Sequence, residues 1–145
     1  MERKERINEL LKKQIDIEND HVRRLKELEK KVGTAAARLL LIEMQLDSTK
    51  HAAILSEIIE IMNKLTPSQT LWSYKIDSYV DKQSVKKELE NHVKMESDVM
   101  AHVEEEIRQT KDEGLKLLLE HIAADEKKHH QILETIVKYS YKIKP

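Results

Sequence analysis

The sequence contains no cysteine and no phenylalanine, and it has only two glycines and two prolines among its 145 residues. The absence of cysteine excludes disulfides, thiol catalysis, zinc ribbons and iron–sulfur clusters. The scarcity of glycine and proline, together with a charged fraction of 37%, favours long helices over a sheet. A chain of this length is most simply one domain with a buried core, so we predict a single all-α domain.

Neither sign of charge dominates, and no segment is continuously apolar. Basic residues number 26 and acidic residues 27, which gives a net charge of −1 and no basic field to bind nucleic acid. The most apolar run, AAARLLLIEM, is interrupted by Arg38 and Glu43, and the opening MERKERINEL is too charged for a signal peptide. We therefore expect a cytoplasmic protein without a membrane span.

Apolar residues recur three and four positions apart in four long segments, which is the spacing of one helix face. The first segment ends at Gly33. The second runs over about 35–64, the third over about 84–110 with Ser84 as its N-cap, and the fourth over about 112–141. Two short connections and one long connection between them predict an antiparallel four-helix bundle with a crossover. We assign residues 1–145 to this one domain, with helical hairpins 1–65 and 83–145 and a crossover over 66–82 that packs along the bundle.

The two predicted hairpins repeat each other at a constant offset, without a gap. LLLIEMQLDSTKHAAIL at 39–55 aligns with LLLEHIAADEKKHHQIL at 117–133, so His51 corresponds to His129 (129 − 51 = 78). The repeat selects His129 over its neighbour His130, which aligns with an alanine and is assigned to the surface or a second layer. The other matches are Glu18 with Glu96 and Asp47 with Asp125, and the departures are Ser48 with Glu126, His21 with Val99 and Gln14 with His92.

Polar residues of both hairpins lie on the predicted apolar stripes at one depth. Glu18 and Ser48 are equally far from Gly33 along the chain (33 − 18 = 15; 48 − 33 = 15), and Glu96 and Glu126 are equally far from position 111 (111 − 96 = 15; 126 − 111 = 15). Buried carboxylates at one depth repel one another unless they are protonated or bound to cations. Carboxylates and imidazoles suit iron, manganese or zinc, and a Glu three positions before a His is the spacing of di-iron bundles.

With these residues the chain resembles the ferritin-like superfamily over almost its whole length, in particular the di-iron domain of rubrerythrin and its small archaeal relatives. The resemblance rests on the crossover, the repeat, Glu18, Glu96 and DEKKH at 125–129. It implies that Glu18 and Glu96 are terminal metal ligands and that Glu126 and His129 supply a bridging carboxylate and an imidazole.

The resemblance also implies that aspartates beside the metal site orient histidines of opposite helices, Asp125 acting on His51 and Asp47 on His129. Since His21 and His92 lie on the same interior stripes, they extend the set of candidates. The predicted metal ligands are Glu18, His51, His92, Glu96, Glu126 and His129, with His21 as an additional candidate.

The second helix departs from the family pattern, because its Glu-x-x-His motif is replaced by STKH and Ser48 stands where a bridging carboxylate is expected. Whether two metal ions bind or one is left open. Iron is the expected metal, with zinc or manganese as alternatives. The lack of cysteine excludes the rubredoxin-type centre of a complete rubrerythrin.

Three functions remain in competition. The first is a di-iron oxidoreductase that reacts with oxygen or peroxide, as a ferroxidase or peroxide scavenger; the second is a non-catalytic metal-binding or partner-binding bundle with a degenerate site. A hemerythrin-like oxygen carrier is suggested by the spacing of His92 and Glu96, but the repeat fits the ferritin-like pattern better. The absence of a fifth helical segment favours a monomer or small homo-oligomer, such as a homodimer, over a cage.

Overall fold

The chain forms four long α-helices in the residues that the computed structural model describes, which are 2–76 and 81–140. Each helix has 28 residues: α1 spans Glu2–Glu29, α2 spans Ala35–Met62, α3 spans Lys82–Gln109 and α4 spans Glu113–Ser140. These described ranges contain no strand, which confirms the predicted all-α class. The predicted end of the fourth helix at 141 lies outside the described residues.

The chain divides into two compact units, Met1–Tyr74 and Lys75–Pro145. In the first unit α1 packs against α2, and in the second α3 packs against α4. These pairs are the two predicted helical hairpins. Their union in one ferritin-like domain stays a prediction.

The first hairpin has a small core between α1 and α2. Leu25, Ala52 and Leu55 are its buried apolar side chains, and α2 also buries the polar residues Gln45 and Ser48. Burial of apolar surface contributes roughly 25 cal/mol per Å², so these contacts hold the two helices together. Because the helices are antiparallel, residues equally distant from the turn face each other.

The ends of the first hairpin are closed by polar contacts. The hydroxyl of Thr34 accepts a hydrogen bond from Ala37 N at 3.2 Å, which caps α2. At the open end, the Lys4 ammonium donates to Leu65 O at 3.2 Å and the Asn8 amide donates to Asn63 Oδ1 at 2.9 Å. The last two bonds join the start of α1 to the residues that follow α2.

The second hairpin buries Val103 and Leu119. The prediction that Ser84 caps α3 is wrong, because the N-cap is Asp81, whose carboxylate accepts from Gln83 N at 3.2 Å. Ser84 Oγ instead donates to the same carboxylate at 3.3 Å. An aspartate is an equally good cap and lies earlier in the chain, so the helix begins before the serine.

Residues 63–76, which follow α2, form turns and irregular structure instead of a helix. Thr66 and Gln69 close one turn, with Gln69 N donating to Thr66 O at 3.0 Å and Thr66 N donating to the Gln69 side chain at 2.9 Å. Residues 77–80 of the predicted crossover lie outside the described residues, and its path stays a prediction. No helix in the described ranges is long and apolar enough to cross a bilayer.

Candidate metal centre

The second hairpin brings together Glu96 from α3 with Glu126 and His129 from α4. Each of the three offers one ligand atom, and these atoms all lie within 4.8 Å of one another. His129 Nδ1 is 3.9 Å from Glu96 Oε1 and 3.9 Å from Glu126 Oε2. Within the described ranges this is the one such group of three metal-binding side chains.

The electrostatics of this cluster are unfavourable to two carboxylates without a cation. A side-chain hydrogen bond with Glu96 raises the pKa of Glu126, burial and the negative charge of Glu96 raise it further, and His129 opposes the shift. The Glu96 and Glu126 side chains are only 23% and 19% exposed. Glu96 Oε2 is buried and has no hydrogen-bond partner among the described residues. Such an atom costs free energy unless a proton or a cation satisfies it.

The spacing of the cluster is close to that of a coordination shell. Ligand atoms bound at about 2.1 Å to a tetrahedral or octahedral metal lie roughly 3.0–3.4 Å apart. The observed 3.9 Å separations need contractions of less than about 1 Å, which side-chain rotations supply. The chemistry and the spacing of the three residues therefore fit a divalent or trivalent transition metal.

The corresponding residues of the first hairpin are paired with each other. His51 Nδ1 donates to Glu18 Oε2 at 2.9 Å, and the Glu18 side chain is 14% exposed. His21 Nδ1 lies 3.2 Å from the hydroxyl of Ser48, which is buried at 5% exposure. Glu18 and His51, which the sequence predicted to lie at one depth of the hairpin, are therefore in contact.

His92 lies next to a residue of its own helix. Its Nε2 is 3.3 Å from Glu88 Oε1, one turn earlier on α3, and its side chain is 48% exposed. It is not among the three grouped residues of the second hairpin. Its role as a metal ligand stays a prediction.

The two aspartates expected to orient histidines contact lysines of their own helices. Lys50 Nζ lies 3.4 Å from Asp47 Oδ1, and Lys128 Nζ lies 3.9 Å from Asp125 Oδ1. Exposed pairs of this kind contribute little to stability, so the aspartates remain available for other contacts. Their predicted action on histidines of the opposite hairpin stays a prediction.

One contact escaped the sequence analysis, the hydrogen bond between His21 and Ser48. A signal for it was present, since both residues are departures from the repeat and lie at similar distances from the turn. The His130 side chain is 23% exposed in the second hairpin, and its Nδ1 lies 3.3 Å from Ser97 Oγ.

Long antiparallel helical hairpins, one of which carries a carboxylate–histidine cluster, are typical of the class of all-α metal-binding proteins. Comparison with protein-family models matches residues 9–137 to the rubrerythrin model. The match covers most of the chain, and the protein belongs to the rubrerythrin family, a ferritin-like di-iron family. No curated protein and no solved structure matched the sequence.

Proposed function

We propose that this protein binds iron through Glu96, Glu126 and His129 and uses it in oxygen or peroxide chemistry, as a ferroxidase or peroxide scavenger. The observation that carries the proposal is the cluster of three ligand atoms within 4.8 Å, which includes a buried carboxylate oxygen without a partner among the described residues. Membership of the rubrerythrin family supports iron as the metal. Zinc and manganese suit the same ligands.

Each residue of the cluster has a distinct role in this proposal. Glu96 and Glu126 supply anionic oxygens that offset the charge of the cation, and His129 supplies a neutral nitrogen. Glu18, His51 and His92 are proposed as further ligands, with His21 as an additional candidate and Asp47 and Asp125 as residues that orient the histidines. Since Glu126 must lose its proton to bind metal, its raised pKa makes binding weaker as the pH falls.

The bound iron would supply electrons to dioxygen or peroxide. The chain contributes an anionic ligand set, which favours the higher oxidation state of the metal because carboxylates are hard ligands. The two glutamates are at most 23% exposed, whereas the His129 side chain is 47% exposed, so small molecules can reach the cluster from the side of the imidazole. A monomer or a small homo-oligomer such as a homodimer in the cytoplasm is the proposed form.

The proposal is tested by the metal content of protein produced with iron and purified without chelator. We expect iron in the wild type, and loss of the metal in Glu126→Gln and Glu96→Gln. Glu120→Gln, which changes an exposed glutamate on the same helix as Glu126, serves as the matched control and should keep it. Retention of the same metal content by both cluster variants would refute the site.

A second candidate function is a non-catalytic metal-binding or partner-binding protein with a degenerate di-iron site. Ser48 favours it, because the first hairpin lacks a carboxylate where the second has Glu126. The two functions are separated by turnover of Fe(II) with oxygen or peroxide. An oxidation rate that exceeds that of Glu126→Gln supports the redox function, whereas equal rates in a metal-loaded protein support the binding function.

A further inference from the structure

The internal repeat allows its two halves, the first and the second hairpin, to be compared residue by residue. Glu18 and His51 of the first hairpin correspond to Glu96 and His129 of the second at the same offset (96 − 18 = 78; 129 − 51 = 78). The halves therefore share a terminal carboxylate and an imidazole. Any difference in their capacity for metal must come from the positions at which the repeat departs.

Two of those departures contact each other. Ser48 stands at the position of Glu126, and His21 stands at the position of Val99 (126 − 48 = 78; 99 − 21 = 78). In the first hairpin, His21 Nδ1 lies 3.2 Å from Ser48 Oγ. The replacement of the carboxylate is thus accompanied by a replacement on the facing helix that gives the serine a polar partner.

The result is that the four corresponding residues of the first hairpin are paired with each other without a cation. The acidic side chain of Glu18 accepts the His51 N–H at 2.9 Å, and the buried hydroxyl of Ser48 is bonded to His21. In the second hairpin two carboxylates lie together, and Glu96 Oε2 has no partner among the described residues. Only in the second hairpin does a bound metal relieve the repulsion between two carboxylates.

The first hairpin also offers too few ligands for an ion of its own. Protein metal sites of this type have at least three protein ligands, and an ion bound there would have to displace the His51 proton from its bond to Glu18. Among the described residues, Glu18, His21 and His51 do not form a group of three within the distance that joins Glu96, Glu126 and His129. His21 already contributes its Nδ1 to Ser48.

We propose that the His21–Ser48 pair leaves the first hairpin without a metal site, so that the chain binds one metal ion, on the second hairpin, instead of two. This inference rests on the proposed metal function and specifies the number of ions. Of the further candidate ligands named above, Glu18, His51 and His21 would then bind no ion of their own. Ser48 and His21 form one coordinated change, in which the imidazole satisfies the residue that stands in place of the carboxylate.

The test is the number of Co(II) ions bound per chain, by calorimetric titration and elemental analysis, with visible absorption as a second readout. We expect one ion in the wild type. The double variant His21→Val/Ser48→Glu copies Val99 and Glu126 into the first hairpin and should bind two ions with increased absorption. His21→Val alone removes the partner without adding a carboxylate and should stay at one.

The outcomes separate this inference from the proposed function. Two ions in the wild type would overturn the inference and leave the metal function intact, whereas no binding at all would overturn the metal function and the inference with it. One ion in a double variant with a wild-type far-ultraviolet circular dichroism spectrum would refute the role of the His21–Ser48 pair. The wild-type count does not depend on the folding of any variant, so it decides alone if the double variant fails to fold.

Discussion

Replacement of Glu126 by glutamine should stabilise the metal-free protein and destabilise the metal-loaded protein relative to wild type. Glutamine keeps the size of the side chain and removes its negative charge. The two carboxylates each offer an oxygen within 4.8 Å of the other, and two unit charges at that limit repel by about 3.5 kcal/mol at an effective dielectric constant of 20 and by about 0.9 kcal/mol in bulk water. Because both carboxylates retain some exposure, we expect a gain of about 1–2 kcal/mol in the free energy of unfolding without metal at pH 7.

The sign of this effect depends on pH. The folded state raises the pKa of Glu126 above its ordinary value of 4.5, so the folded protein holds this proton more tightly than the unfolded chain. The associated stability is fully present below pH 4.5 and is lost as the pH rises through the folded-state pKa. The difference between wild type and Glu126→Gln should therefore be largest at neutral pH and vanish in acid.

Metal should reverse the order of the two proteins. An ion present at about 100 times its dissociation constant stabilises the protein that binds it by about 2.7 kcal/mol, which exceeds the repulsion removed by the mutation. Urea unfolding followed by circular dichroism, with chelator and then with metal, measures both effects. Glu120→Gln, an exposed change on the same helix, is the control. Without metal at pH 7, a Glu126→Gln variant no more stable than wild type would refute the reasoning that the carboxylates repel each other.

Three further predictions concern the first hairpin and use the same unfolding assay. Leu25→Ala, which truncates a side chain that is 5% exposed, should cost about 2–3 kcal/mol, whereas Leu10→Ala at 56% exposure should cost less than about 0.5 kcal/mol; equal losses would contradict the assigned core. Thr34→Ala removes the cap of α2 and should lower the free energy of unfolding by about 1 kcal/mol; an unchanged free energy would show that the bond from Ala37 N to the Thr34 hydroxyl does not stabilise the helix. A hydrogen bond from Gln45, and after it one from Arg38, lowers the pKa of Glu29. The stability that Glu29→Gln removes should therefore be present above pH 4.5 and disappear as the pH falls through the lowered pKa. A gap between wild type and Glu29→Gln that is independent of pH would show that the charge of Glu29 does not matter.

The helices and the depth of the polar layer could be predicted because both depend on regular spacing. Positions at similar distances from a tight turn lie at similar depths in an antiparallel hairpin, and Glu18 meets His51 at 2.9 Å. The repeat added information that periodicity lacks, since it favoured His129 over the adjacent His130. The structure groups His129 with the two glutamates.

The sequence was less informative where side-chain direction decides the outcome. His92 lies on a stripe that the spacing assigns to the interior, yet its ring points along α3 toward Glu88, 3.3 Å away. The start of α3 was misjudged because two capping residues compete within one turn, and Asp81 precedes Ser84. The contact of His21 with Ser48 joins two different helices, and the apolar spacing within each single helix carries no information about it.

The three grouped residues of the second hairpin are close in the sequence as well as in space. Only the second half of α3, the turn after it and the first part of α4 separate Glu96 from Glu126 and His129. Joining them requires closure of that short turn and nothing more distant. Glu126 and His129 follow Glu96 by 30 and 33 residues (126 − 96 = 30; 129 − 96 = 33), so bringing them together costs less loop-closure entropy than joining more distant segments. The cluster should therefore assemble as soon as this hairpin does, which links the capture of an ion to the first stages of folding in the carboxyl-terminal half of the chain.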